Sequence, residues 1–169
     1  MNLVEMISAA EIRDRLINAG LCNPARLQGY TDLEIAQFQQ EVGERFPAQY
    51  VEFLRAAGKC AEGYFTGSIV AGPEVFGLRE DFETELRQLR EDEPENPLAS
   101  WRLPEHSLPF FSHGGNHFWF FVCEGADDPR VYSFRFDKEL NAEAKLTLSQ
   151  WICQSIQFLV EERTALQQR

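Results

Sequence analysis

The sequence lacks a long apolar run and a leader-like start. No segment approaches the roughly 20 consecutive apolar residues that cross a bilayer. The first five residues also do not combine a basic region with an apolar one. We therefore expect a cytoplasmic protein that has no membrane partner.

Closely spaced cysteines are also lacking. The four cysteines, Cys22, Cys60, Cys123 and Cys153, form no C-x-x-C pair. Zinc sites and small disulfide frameworks need such pairs or a denser spacing of cysteines. The sequence thus predicts four free, buried thiols and neither a bound metal nor another cofactor.

Positive charge is scarce relative to negative charge. The chain has 27 acidic and 16 basic residues, which gives a formal net charge of -11. Such a field repels nucleic acid and anionic membranes, and it accelerates the approach of cationic proteins. The charge therefore favours a basic protein partner and argues against nucleic acid, although many acidic soluble proteins have no such partner.

The common catalytic motifs are missing, including the Walker loop, G-x-G-x-x-G, G-x-S-x-G and H-E-x-x-H. The nearest approach to a reactive cluster is formed by His106, His113 and His117. A spacing of four residues binds metal on a helix, but Gly114-Gly115 predicts a hairpin turn at this point. Cys123 lies in an apolar strand, where an attacking thiolate is disfavoured. We predict no catalytic residue, and a small hydrolase using His113 and His117 remains the enzymatic alternative.

The features that are present indicate one globular domain. The chain has 169 residues, 44% of them apolar, and 14 phenylalanines, which is enough to build one substantial core. We divide it into an N-terminal helix and linker over residues 1–28, a main unit over 29–160 and a polar tail over 161–169. The first two belong to the same domain.

Helical spacing of apolar residues predicts five helices. The first covers residues 4–21, with Glu11 as an exception on its apolar face. The second begins with the capping box of Thr31 and Glu34 and ends at Gly43. The third begins at Pro47 and ends at Gly58. A fourth is capped by Asp81 and carries Phe82, Leu86 and Leu89. The last is capped by Ser149 and runs to a polar tail that starts at Thr164. Its apolar face carries Ile152, Ile156, Leu159 and Val160.

Strands are predicted between the fourth and fifth helices and, as short pieces, within residues 63–78. The main strands are expected at 108–111, 117–123 and 130–136. Both faces of the segment 117–123 are apolar, which is typical of a central strand. The expected fold class is α+β, with N-terminal helices and a C-terminal helix packed on a mostly antiparallel sheet.

One stretch resembles the opening motif of the SUKH superfamily. The matching residues are Gly43, Phe46-Pro47, Tyr50 and Phe53-Leu54. The later segments 108–111, Gly114-Gly115 and 130–132 are similar to further blocks of that family. The resemblance covers about residues 29–160 and implies an α+β fold. For most bacterial members it implies an immunity protein that neutralises a cognate polymorphic toxin, often a nuclease. Fungal relatives are regulators of cell-wall assembly.

The acidic segment 80–95 is the candidate partner-binding surface, with one tryptophan nearby as an aromatic anchor. The predicted contact residues are Glu80, Glu83, Glu91, Asp92, Glu93, Glu95 and Trp101. The alternative is a solvated helix face with the tryptophan tucked into the core. A cognate toxin of basic charge is the expected partner, and a regulatory scaffold outside any toxin system is the competing function. The oligomeric state is not predicted.

Overall fold

The computed structural model describes residues 6–136 and 146–167. In these residues the chain forms α-helices, strands and two short 3₁₀ helices, Pro73–Gly77 and Pro97–Ser100. The α-helices are α1 (Ala9–Asn18), α2 (Asp32–Val42), α3 (Ala48–Ala57), α4 (Leu78–Asp92) and α5 (Leu148–Gln167). The strands are β1 (Ser68–Ile69), β2 (Ser107–His113), β3 (His117–Val122), β4 (Arg130–Arg135) and β5 (Leu146–Thr147). None of the described helices is long and apolar enough to cross a bilayer.

The strands form one sheet in the order β1-β2-β3-β4-β5, and every neighbouring pair is antiparallel. The predicted α+β class is thereby confirmed. Strand β3 lies at the centre of the sheet, as its two apolar faces predicted. Its side chains alternate between two separate cores, with Phe118 and Phe120 in one and Phe121 in the other.

Helices cover both faces of this sheet. On the first face Tyr50 of α3 is fully buried, with its ring 5.1 Å from that of Phe121. Helices α1, α2 and α5 contribute to this larger core. On the second face Phe82 of α4 is fully buried, 4.8 Å from Phe118 and 5.2 Å from Phe134. The sheet is therefore a middle layer between two sets of helices.

A β-bulge in β2 enlarges the first core. Pro109 pairs with Phe120 and Phe111 pairs with Trp119, so Phe110 is the extra residue between two register positions. Regular alternation would turn Phe110 and Phe111 to opposite faces of the sheet. With the bulge, both phenylalanines lie in the core beneath α3 and α5.

The helix starts differ from the prediction in three places. Helix α1 begins at Ala9 rather than at residue 4, because Ser8 and Glu11 form a capping box. That box explains the exceptional Glu11, whose carboxylate accepts the Ser8 amide hydrogen at 2.9 Å. Val4, a residue of the predicted first turn, lies outside the described residues. Helix α4 begins at Leu78, so Asp81 lies in its first turn and is not the cap.

The third difference is at α5. Thr147, which directly precedes the helix, exchanges hydrogen bonds with Gln150 in a capping-box pattern. The predicted cap Ser149 is instead inside the first turn, and its hydroxyl donates to Asp128 at 2.6 Å. The helix also continues to Gln167, through the segment predicted as a polar tail.

Two further expectations were only partly right. Between residues 63 and 78 the only described strand is the two-residue β1, and the rest is turn and 3₁₀ helix. All four cysteines are free thiols, as predicted, but only Cys22 is buried and the other three are half-buried. The capping box of α2, with Thr31 and Glu34, is present as predicted.

Candidate partner-binding surface

Helix α4 separates its residues sharply by polarity. Leu78, Phe82 and Leu86 are buried against the sheet. The opposite side is exposed and acidic, as is the turn that follows the helix. All six predicted acids are exposed. They lie on α4 or in the turn that follows it: Glu80, Glu83, Glu91, Asp92, Glu93 and Glu95. The six predicted acids therefore lie on the exposed side of α4 and just beyond its C-terminal end.

Arginines occupy one flank of α4 and hold it in place. Arg79 donates to the backbone carbonyl of Ser107 at 2.8 Å and pairs with Glu83 at 3.1 Å. Arg90 donates to the carbonyl oxygens of Ala99 and Trp101 at 3.1 and 3.2 Å. Glu83 is therefore partly neutralised, which sets it apart from the other predicted acids.

The opposite flank carries carboxylates that have no ion pair among the described residues. Asp81 and Glu85 lie one helical turn apart there, beside Glu80. These three acids line one wall of a cleft of about 420 Å³. Asp81 and Glu85 were missing from the predicted site, although their spacing of four residues would have identified a shared face.

The β2–β3 hairpin forms the other wall of this acidic cleft. Gly114 and Gly115 form its turn with φ angles of 62° and 73°, a backbone region that favours glycine. Ile69 and Phe118 line the same cleft. A carboxylate wall thus faces a wall of backbone and apolar groups, an arrangement suited to the long side chain of a lysine or arginine.

Trp101 is positioned by the second core. Its ring lies 4.5 Å from Phe134, 5.7 Å from Phe82 and 6.1 Å from Phe120, and the residue is half-buried. These contacts favour the alternative of a packed tryptophan. Only its exposed edge is available to a partner.

The three histidines do not form a cluster. His113 and His117 face each other as the last pair of the β2–β3 hairpin. His113 hydrogen-bonds Ser68 through Nδ1 at 2.8 Å, whereas the His117 ring stacks on Trp119 at 3.5 Å. His106 pairs instead with Glu44 at 2.9 Å. In the described part of the chain, no group of three or more potential ligands is placed to hold a metal.

Cys123 is likewise poorly suited to nucleophilic chemistry. Burial raises the pKa of its thiol to about 12. The thiol is therefore protonated at neutral pH, whereas a nucleophile requires the thiolate. Burial thus disfavours a nucleophilic role for this thiol.

Comparison with known protein families decides the family. Residues 29–154 match the model of the SMI1/KNR4 family (SUKH-1). The chain belongs to this family. A search of curated proteins found no match to the chain. The SUKH-1 match runs from the segment before α2 into the first two turns of α5, so it includes the acidic cleft.

A second depression was not predicted from the sequence. This aromatic groove, of about 830 Å³, lies between α5 and the first face of the sheet. Its floor is aromatic and its α5 wall includes exposed apolar side chains. The residues that define it are Phe65, Phe111, Trp119, Trp151, Phe158, Leu159, Glu162 and Leu166. The last four lie beyond the residues matched to the SUKH-1 family.

The sequence did contain a signal for one wall of this groove. At 100° per residue, Trp151, Phe158, Glu162 and Leu166 fall within about 80° of one another on α5. The predicted apolar face of this helix used only Ile152, Ile156, Leu159 and Val160. A wider stripe, extended to the end of the helix, would have included Phe158 and Leu166.

Proposed function

We propose that this SUKH-1 protein is an immunity protein that binds and neutralises a cognate bacterial toxin domain of basic charge, such as a nuclease. The observation that carries the proposal is the unpaired carboxylate wall of the acidic cleft. Glu80, Asp81 and Glu85 face a concave surface and have no ion pair among the described residues. Their charge is available to a partner.

The electrostatics explain how such a protein would act. A net charge of -11 draws a basic domain towards the molecule and raises the encounter rate. At the cleft, the carboxylates offer acceptors for lysine or arginine side chains of the toxin. An inhibitor bound over the basic surface of a nuclease blocks the approach of nucleic acid, so occlusion alone is enough for protection.

Inhibition by binding also fits the chemistry of the site. SUKH proteins are typically not enzymes. The His113 ring is hydrogen-bonded to Ser68, and burial keeps the Cys123 thiol protonated. Protein binding requires neither group to react.

Co-expression with any candidate toxin domain that is found encoded next to this gene tests the proposal. Wild-type protein is expected to restore growth of cells that make the toxin and to co-purify with it in a stoichiometric complex. The cleft variant E80Q/D81N/E85Q is expected to weaken binding at least about tenfold, or about 1.4 kcal/mol. If wild-type protein neither binds nor protects, the immunity function is wrong.

A matched control separates local contacts from total charge. The variant D14N/E41Q/E124Q removes three exposed acids from other parts of the surface. It changes the net charge by the same amount as the cleft variant. Equal losses in the two variants would contradict a specific role for the cleft. The variant E91Q/D92N/E93Q/E95Q measures separately how much the end of α4 contributes.

A further inference from the structure

We infer that the aromatic groove binds an amphipathic segment of a partner protein that carries apolar anchor residues flanked by lysine or arginine. The groove lies on the face of the sheet opposite α4, so it is separate from the acidic cleft. The inference does not require that the partner be a toxin. It also concerns a wall of α5 that extends beyond the SUKH-1 match.

The floor of the groove is a rigid set of rings. Phe111 lies 4.6 Å from Phe65, 4.7 Å from Trp119 and 5.5 Å from Trp151. Phe111 and Trp151 are buried, while Phe65 and Trp119 are half-buried and present surface to the groove. Aromatic rings packed in this way give a preformed apolar surface at a low cost in conformational entropy.

The wall of the groove exposes side chains that a monomer would normally bury. Phe158 is 56% exposed and Leu166 is 65% exposed. They are eight residues apart on one helix face, or about 12 Å along the axis. Leu159 lies between them and is half-buried. Together with the floor, these residues form a contiguous apolar surface, which in a soluble protein marks an interaction site.

The dimensions fit an amphipathic helix or strand. A partner helix that lies in such a groove inserts apolar residues at intervals of three, four or seven positions. The separation of Phe158 and Leu166 matches two turns of such a helix. The groove volume of about 830 Å³ accommodates several apolar side chains.

The charged side chains that line the groove indicate which kind of partner segment it would bind. Glu162 lies between Phe158 and Leu166 and has no ion pair among the described residues. Arg163 also lines the groove and keeps its positive charge, but its guanidinium is directed to the backbone carbonyl oxygens of Gly20 and Gly63, to which it donates at 2.7 and 3.1 Å. The acceptor open to a partner is therefore a carboxylate, and its natural counterpart is a lysine or arginine.

A second copy of this chain is a poorer occupant. It would bring a further charge of -11 to the interface. A twofold contact between α5 helices would also place Glu162 near its own copy. Like charges at close range oppose association. A segment with basic residues beside its apolar anchors avoids both penalties.

Titration of the full chain with two designed helical peptides tests this inference. Both peptides have about 16 residues and the same leucine spacing, but one carries lysine and the other glutamate at its polar positions. The lysine peptide is expected to bind at least about tenfold more tightly. In NMR spectra it should shift the indole signals of Trp119 and Trp151 and leave that of Trp101 in place, since Trp101 belongs to the other core.

Variants on α5 and a control on α2 make the test specific. Phe158→Asp is expected to lower the affinity for the lysine peptide at least about tenfold. The free energy of unfolding of this variant should change little, because Phe158 is exposed. Glu162→Lys should lower the affinity for the lysine peptide and raise the affinity for the glutamate peptide. Glu41→Lys on α2 makes the same charge change at an exposed position away from the groove and the cleft, and it should leave the preference between the peptides unaltered.

Several results would overturn the inference. These are no binding of the lysine peptide, equal binding of both peptides, equal effects of Glu41→Lys and Glu162→Lys, or signal shifts confined to α4. Sedimentation analysis of the protein alone tests whether it associates with itself. A dimer that Phe158→Asp dissociates would assign the groove to self-association instead.

Discussion

The two faces of the sheet differ in what their covering helices expose. Helix α4 buries Leu78, Phe82 and Leu86 and exposes carboxylates. Helix α5 buries Trp151, Ile152 and Ile156 near its start, but it exposes Phe158 and Leu166 towards its end. The α4 face thus exposes negative charge, which acts at long range. The α5 face exposes apolar surface, which acts on contact.

The two proposed surfaces would combine two modes of recognition in one small domain. Exposed charges raise the rate of encounter, and their effect falls with salt because ions screen them. Apolar surface contributes mainly after contact and depends little on salt. Strand β1 lies between the two depressions, with Ser68 lining the groove and Ile69 lining the cleft. A partner that reaches around this edge would touch both.

The largest expected effect concerns the stability of the α4 face. Phe82 is fully buried among Phe118, Phe134 and Trp101, so Phe82→Ala leaves a cavity as well as losing burial. We expect a loss of about 3–5 kcal/mol in the free energy of unfolding, measured by urea denaturation. The matched change on the other face, Phe158→Ala, should cost less than about 0.5 kcal/mol. Comparable losses in the two variants would contradict the described burial.

A smaller effect is expected at the start of α5. Thr147→Ala removes the side chain that accepts the Gln150 amide hydrogen, and an N-cap of this kind contributes about 0.5–2 kcal/mol. Ser149→Ala removes instead the hydrogen bond to Asp128. Thermal unfolding of both variants separates the two contributions. A Thr147→Ala variant as stable as wild type would contradict the capping box.

The smallest effect lies away from both surfaces, at the pair of His106 and Glu44. A hydrogen bond and the charge of Glu44 raise the pKa of His106 above its ordinary value of 6.5. Since the folded-state pKa is the higher one, the stabilisation is present below pH 6.5 and is lost as the pH rises through the raised value. NMR titration should find a pKa above 6.5 in wild type and a lower one in Glu44→Gln. An unchanged His106 pKa in Glu44→Gln would refute this pairing.

Local sequence signals predicted one face better than the other. The exposed acids of α4 belong to one predicted helix, so their place on α4 follows from the local pattern, although they lie on different flanks of it. The alternation in β3 likewise identified a central strand with two apolar faces. Both predictions depend on residues within one element, where backbone geometry fixes the direction of side chains.

The groove could not be predicted in the same way. Its floor joins Phe65, Phe111, Trp119 and Trp151, which come from different elements, and the bulge at Phe110 decides where Phe111 points. No local pattern specifies such a bulge. The predicted cap Ser149 was wrong for a related reason, because a tertiary partner, Asp128, takes up its hydroxyl.

The first measurement to make is the association rate of the protein with the proposed toxin partner at low and at high salt, because it isolates the contribution of the cleft carboxylates. For wild type and for the control D14N/E41Q/E124Q, the account predicts a fall of at least about tenfold between the two conditions. For E80Q/D81N/E85Q it predicts a slower rate at low salt and a flatter dependence on salt. A cleft variant with the same rate and the same salt dependence as the control would contradict the account.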